Sequence, residues 1–300
     1  MNGCDAPTPE TRDPMPITNF RPLGFLQGGT RGGAATAPVV EPAIGPWLAM
    51  PYPDVPRFDA DTLLSRWARL HAGQALPLPS SSALIDGWML YHTGQFESAA
   101  ASGLLQGPEG LTLANQATAI YANYLEPRES ARLALFLQVA ERAAAQVARN
   151  PDDPQALFWE AYALGRYSQG ISVARALAQG LGGRIKEVLE RVVALEPLHA
   201  DAHIALGAFH AEVIDKVGTL VGRMTYGVRA ETAIAMFERG VALNSHSASG
   251  WMEYARGLMM LEGDAKIDEA GRLYERAAAI TPADARERLD AELARTANIG

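Results

Sequence analysis

Three closely spaced histidines, His199, His203 and His210, are the first side chains whose type and spacing could do chemistry. Imidazole is a common zinc ligand, and His199 and His203 stand about one helical turn apart. Yet His199 falls in a turn after Pro197, and His203 and His210 occupy positions that a helix uses for packing. With no nearby cysteine or matching carboxylate pair, no metal is expected. The run Gly180-Leu181-Gly182-Gly183-Arg184 precedes a helix, where free backbone N–H groups cradle phosphates. It follows a helix rather than a strand and lacks the Lys-Ser/Thr ending of a phosphate loop, and the segment Gly28 to Gly33 fails for the same reasons. No Gly-x-Ser-x-Gly elbow is present, and Cys4 lies in a tail without a positioned base. Glu187 and Glu190, like Asp284 and Glu287, have the spacing of a solvated helix face. No cofactor, metal or catalytic pair is selected, and the expectation is a non-catalytic protein.

The formal net charge of -8 and pI near 5.3 give no reason to approach a polyanion, so nucleic acid is not an expected partner, and anionic membrane is a poor one. A lone cysteine rules out an internal disulfide or a thiolate metal cluster. No stretch approaches the roughly 18 apolar residues of a membrane span. The expected location is cytoplasmic, or periplasmic if the true start lies upstream and Cys4 is a lipidation site.

The elements that would position any site are helical. Residues 1–56 carry Gly28, Gly29, Gly32 and Gly33, then Pro38, Pro42, Pro46, Pro51, Pro53 and Pro56, and read as a flexible tail becoming an extended strap. Trp47 and Tyr52 in that strap are expected either to patch the first helices or to lie in the protein's own groove. Residues 57–300 read as a single helical domain. Leu63, Trp67 and Leu70 share one face, and helices follow over 82–93, 96–106, 111–125 and 129–149. Asp153-Pro154 is a helix start, as is Thr281-Pro282-Ala283-Asp284. Nothing alternates with the period of a strand.

The chain also repeats itself. Trp251, Tyr254, Ala255 and Leu258 on one helix are followed by Ala270, Tyr274, Ala277 and Pro282 on the next. His203, Leu206, Gly207 and His210, then Ala233, Phe237, Gly240 and Ser245, form an earlier copy, with Ser245 where proline is expected. Leu157, Ala161 and Leu164, then Ile185, Leu189, Val192 and Pro197, form a looser one, in which Glu160 departs from the apolar preference. Gly87, Leu90, Gly94, Phe96 and Ala99 suggest another, while 100–150 is helical without an assigned register. These residues resemble the tetratricopeptide-repeat (TPR) family over about residues 82 to 297. The resemblance implies an all-α TPR-like solenoid of antiparallel helix pairs whose concave groove binds a protein or peptide. A weaker resemblance is to the T component of tripartite ATP-independent periplasmic (TRAP) transporters, on Leu157-Phe158-Trp159, His203 to Gly207, Phe237-Glu238-Arg239 and Ala242-Leu243. Members of that family are periplasmic or lipid-anchored, and only the fold is carried over.

The resemblance puts a candidate groove on the inner faces of the first helices, at Trp88, His92, Phe158, Tyr162, Arg166, Glu212, Met252, Arg256 and Met260. For Phe158 and Met252, ordinary core packing is an equally good reading. The two middle repeats are longer than the last by about ten residues each. Their extra residues continue apolar stripes through Ile171 and Leu177 and through Val213, Val217 and Leu220, which predicts first helices prolonged by two or more turns. The stripes are covered either internally or by a second copy or another partner. The function expected is a protein-interaction scaffold that self-associates; the alternative is a small-ligand carrier or transporter accessory with an apolar cavity.

Overall fold

The computed structural model describes residues 45–297. All of them fall within one unit of the chain. The tail up to residue 44, with Cys4 and the Gly28 to Gly33 segment, lies outside the described residues.

Every regular element described is helical. First come α1 (Ala60–Leu70) and α2 (Ser82–His92), followed by α3 (Phe96–Leu105), α4 (Leu111–Tyr124) and α5 (Glu129–Arg149). Next come α6 (Pro154–Gln169), α7 (Val173–Ala178), α8 (Leu181–Leu195), α9 (Ala200–Val217), α10 (Thr219–Tyr226) and α11 (Ala230–Leu243). The chain ends with α12 (Ala248–Glu262), α13 (Ile267–Ala278) and α14 (Ala285–Ala297). Short side chains fix several starts by accepting backbone N–H bonds that the first turn leaves open. Ser81 does so for α2, Asp153 for α6, with Pro154 in the first turn, and Ser247 for α12.

Antiparallel pairs α2/α3, α4/α5, α6/α8, α9/α11 and α12/α13 stack in sequence order. The unregistered region 100–150 thus completes one pair and supplies the next. Gly207 shows why small residues recur: a Cβ there would come within 3.0 Å of both the Phe237 ring and the Ala233 carbonyl oxygen. Phe237, fully buried, fills the space and stacks on Tyr254 at 5.3 Å. Trp251 donates its indole N–H to the Ser245 carbonyl oxygen at 3.0 Å and lies under the Arg276 guanidinium.

The middle repeats are lengthened differently from the sequence expectation. α6 ends at Gln169 rather than continuing through Ile171, and Ser172 caps a separate short α7 that carries Leu177. α9 does run to Val217 and includes Val213, but Gly218, at φ 81°, breaks the helix before Leu220. That backbone conformation costs glycine little and a side-chain-bearing residue considerably more, so the apolar stripe resumes in α10 as a new helix. α10 folds back over its predecessor, and a Cβ at Gly222 would meet Val228, Val213 and Val217.

Residues 45–58 run over the helices. Trp47 stacks on Tyr121 of α4 at 4.1 Å, and the Leu48 N–H donates to the Tyr121 hydroxyl. Tyr52 lies under Arg288 of α14, Asp54 pairs with the same arginine at 3.1 Å, and the Phe58 ring meets His92.

Candidate functional site

The last helix, α14, gathers polar and charged groups from distant elements. It packs against α12 and α13 and also reaches back to α2. Its start is held by Asp284, which accepts the Glu287 N–H at 2.8 Å, while the Glu287 carboxylate accepts the Ala283 N–H at 2.8 Å. This reciprocal arrangement satisfies two donors at the helix start. The same two carboxylates leave the helix in the other direction. Asp284 accepts from Nδ1–H of His92 at 2.6 Å, and Glu287 meets both terminal nitrogens of Arg69. Read from sequence as a solvated face, Asp284 and Glu287 instead face the interior, because the turn after α13 directs this helix across the first repeats rather than out to solvent.

Further along α14, Arg286 reaches Asp201 at the start of α9, at 3.3 Å, and Asp290 accepts the Tyr124 hydroxyl from α4. Burial pushes the Asp290 carboxyl up to about 6, and Arg286 and the tyrosine only partly offset that. His71 completes a chain of rings, its Nε2 sharing a proton with Nε2 of His92 at 3.1 Å. Burial, with His92 and Arg286 adding to it, holds His71 well below the usual imidazole range and so neutral. His71, His92 and Asp284 thus form a fastening between α1, α2 and α14. Among the described residues, no hydroxyl or thiol bonds to either ring in the way an activated nucleophile would.

The candidate groove residues divide into two sets. Trp88, His92, Phe158 and Met252 are buried. Trp88 sits edge-on to Trp67 and His71, and Phe158 packs on His199 at 4.5 Å. Tyr162, Arg166, Glu212, Arg256 and Met260 are half-buried. Three of them join one polar network across α6, α9 and α12. Arg166 pairs with Glu253 at 3.2 Å and donates to Gln169, which donates to Glu212 at 2.6 Å. Glu253 also accepts from Arg256 at 3.2 Å, and the Arg166 guanidinium lies 5.3 Å from the Tyr162 ring centre. Sequence reasoning missed Arg69, Tyr124, Asp201, Glu253, Arg286 and Asp290. The one available signal was α14 itself, whose only large apolar residues are Leu289 and Leu293.

The histidines first considered serve the helices. Nδ1 of His199 caps α9 by accepting the Ala202 N–H, Nε2 of His203 donates to the Pro197 carbonyl oxygen, and Nδ1 of His210 accepts the Arg229 N–H. Gly180 makes the left-handed turn into α8, and Arg184 pairs with Glu160 at 2.9 Å. On the candidate association surface, Leu177 and Leu220 are exposed, whereas Ile171, Val213 and Val217 are half-buried. No helix of the described residues is long and apolar enough to cross a membrane.

Among solved structures, the chain is similar to the crystal structure of TTC0263, a thermophilic TPR protein of Thermus thermophilus. The two are 20% identical, the match covers 71% of this chain and 97% of that one, and the TM-score is 0.50. Protein-family models and curated proteins give no match. The stacked helix pairs and this likeness define the fold as an all-α, TPR-like helical repeat.

Proposed function

We propose that this chain is a non-catalytic protein-interaction scaffold that associates with a second copy of itself through the edge formed by α7 and α10. The observation that carries this reading is the exposure of Leu177, Leu220, Val221 and Met224, at 51, 72, 53 and 80%. The two helices share a neighbour: α8 contacts both of them, and a Cβ on Gly182 at its start would lie 3.1 Å from the Tyr226 ring at the end of α10. Exposed apolar side chains gain by being covered, at about 25 cal/mol per Å² removed from water. Analytical ultracentrifugation tests the proposal. The wild-type chain is expected to sediment as a concentration-dependent dimer or larger species, and Leu220→Glu with Met224→Glu as a folded monomer. A wild-type chain that stays monomeric at tens of micromolar rejects the association.

The inner face is the second binding surface of this reading, one suited to a peptide or helix. What supports it is that α14 lies against α2 and α12 and bonds to side chains of α4 and α9.

A further inference from the structure

We infer that the inner face is a receptor for a short amphipathic helix with a carboxylate, an arginine and two leucines at the spacing of Asp284, Arg286, Leu289 and Leu293, and that α14 is its exchangeable resident. This inference rests on the inner-face reading and specifies the partner's chemistry.

Three observations carry it. First, α14 brings little apolar bulk of its own, although its Ala285 and Leu289 are wholly buried in the core. α12, buried beside it, contributes Trp251, Met252, Tyr254 and Leu258, whereas α14 offers two leucines, small alanines and a run of charges. Second, the groups that hold α14 belong to distant elements. Arg69 comes from α1, His92 from α2, Tyr124 from α4 and Asp201 from α9, each matched to a different α14 side chain or to its cap. A helix that merely solvated the last repeat would need contacts with α12 and α13 alone. Charged and hydrogen-bonded pairs of this kind select orientation and register more than they add affinity.

Third, the fit of α14 is incomplete at one place. Gln74 donates to Asp201 at 3.4 Å, and Gln155 donates to the Gln74 carbonyl oxygen at 2.7 Å, beside the position where Arg286 arrives. The side-chain oxygens of Gln74 and Gln155 are buried there without a hydrogen-bond partner. Buried acceptors left unpaired cost free energy that a better-matched ligand recovers. A partner helix with a second donor beside the arginine would recover that cost, to be set against the advantage α14 has from being tethered.

The test uses the full chain with Arg286→Ala and Glu287→Ala, which loosen the resident helix and leave the receptor residues intact. A fluorescein-labelled peptide of residues 281–297 with the wild-type sequence is the probe, read by anisotropy. The substituted chain is expected to bind it at least about tenfold more tightly than the wild-type chain does, a difference of about 1.4 kcal/mol. Binding should weaken with salt and disappear for a peptide carrying Leu289→Ala and Leu293→Ala. Hydrogen exchange supplies the second measurement, on the wild-type chain should the substituted one not fold. Amides of α14 that exchange ahead of those of α9 and α12 sustain the inference. Exchange in step with α9 and α12 overturns it, as does an opened α14 with no peptide binding. Either failure leaves self-association through α7 and α10 standing, because that surface is assayed separately by sedimentation.

Discussion

Arg69 and Glu287, 218 positions apart, meet as a two-pronged ion pair with N–O distances of 2.5 and 2.9 Å. They tie the first described helix to the last. The same carboxylate accepts the Ala283 N–H, so the contact that closes the fold also caps the helix that closes it. Replacing Glu287 with Gln removes the charge while keeping the shape, and is expected to lower the unfolding free energy by about 1 kcal/mol. Urea denaturation with an unchanged m-value checks this, and Arg69→Ala made on top of it should add little, because the pair is already broken.

Acid should destabilise the protein through its buried histidines. Burial is the main cause that holds His199 down at about 4, against an ordinary imidazole value near 6.5. Its contribution is whole above about 6.5 and is lost as pH falls through about 4. His199→Asn retains a side chain able to cap α9 and should flatten the fall in stability over that window. Asp290 acts in the opposite sense: its folded value near 6 lies above the ordinary carboxylate value, so its contribution is whole below about 4 and fades as pH rises through about 6. Asp290→Asn should therefore gain on the wild type as pH rises from 4 to 7. Thermal unfolding across this range measures both slopes, and parallel curves would contradict them.

Gly257 is a tighter close approach than Gly207. A Cβ on Gly257 would lie 2.3 and 2.7 Å from two carbons of the Phe237 ring, which is itself wholly buried. Gly257→Ala is expected to cost about 1 to 3 kcal/mol despite the higher helix propensity of alanine. Circular dichroism melts provide the readout; a stabilised variant would mean that the α9, α11 and α12 packing is looser than described.

Trp47 on Tyr121 fastens the segment that precedes α1. Trp47→Ala should cost about 0.5 to 1.5 kcal/mol from the lost stack, beyond the area it uncovers. Proteolysis should then cut residues 45–56 faster, with α2 and α4 amides otherwise as protected as in the wild type. Equal cutting rates would show that the stack does not hold the segment.

Most helix limits, and the pairing of the last repeat, were legible from local cues. Ser81 caps, Asp153 followed by Pro154, and the apolar spacing of Trp251, Tyr254, Ala255 and Leu258 act within one or two turns, so they are written in adjacent residues. Arg166, Glu212 and Arg256, named from repeat positions, do meet in one half-buried polar network. The break before α10 was harder to read, because a helical stripe continues across Gly218 in sequence while the positive φ there turns the chain in space.

By itself, then, the sequence determined the all-helical repeat, most helix limits and the pairing within the last repeat, but not the register of 100–150 or the separate α7 and α10. Only the tertiary structure decided where α14 goes. The partners of Asp284, Arg286, Glu287 and Asp290 lie far back in the chain, and periodicity reports which face of a helix is apolar, not which charged residues find counter-charges on distant helices. A charged helix looks like a solvated one until the groups that neutralise it are placed beside it.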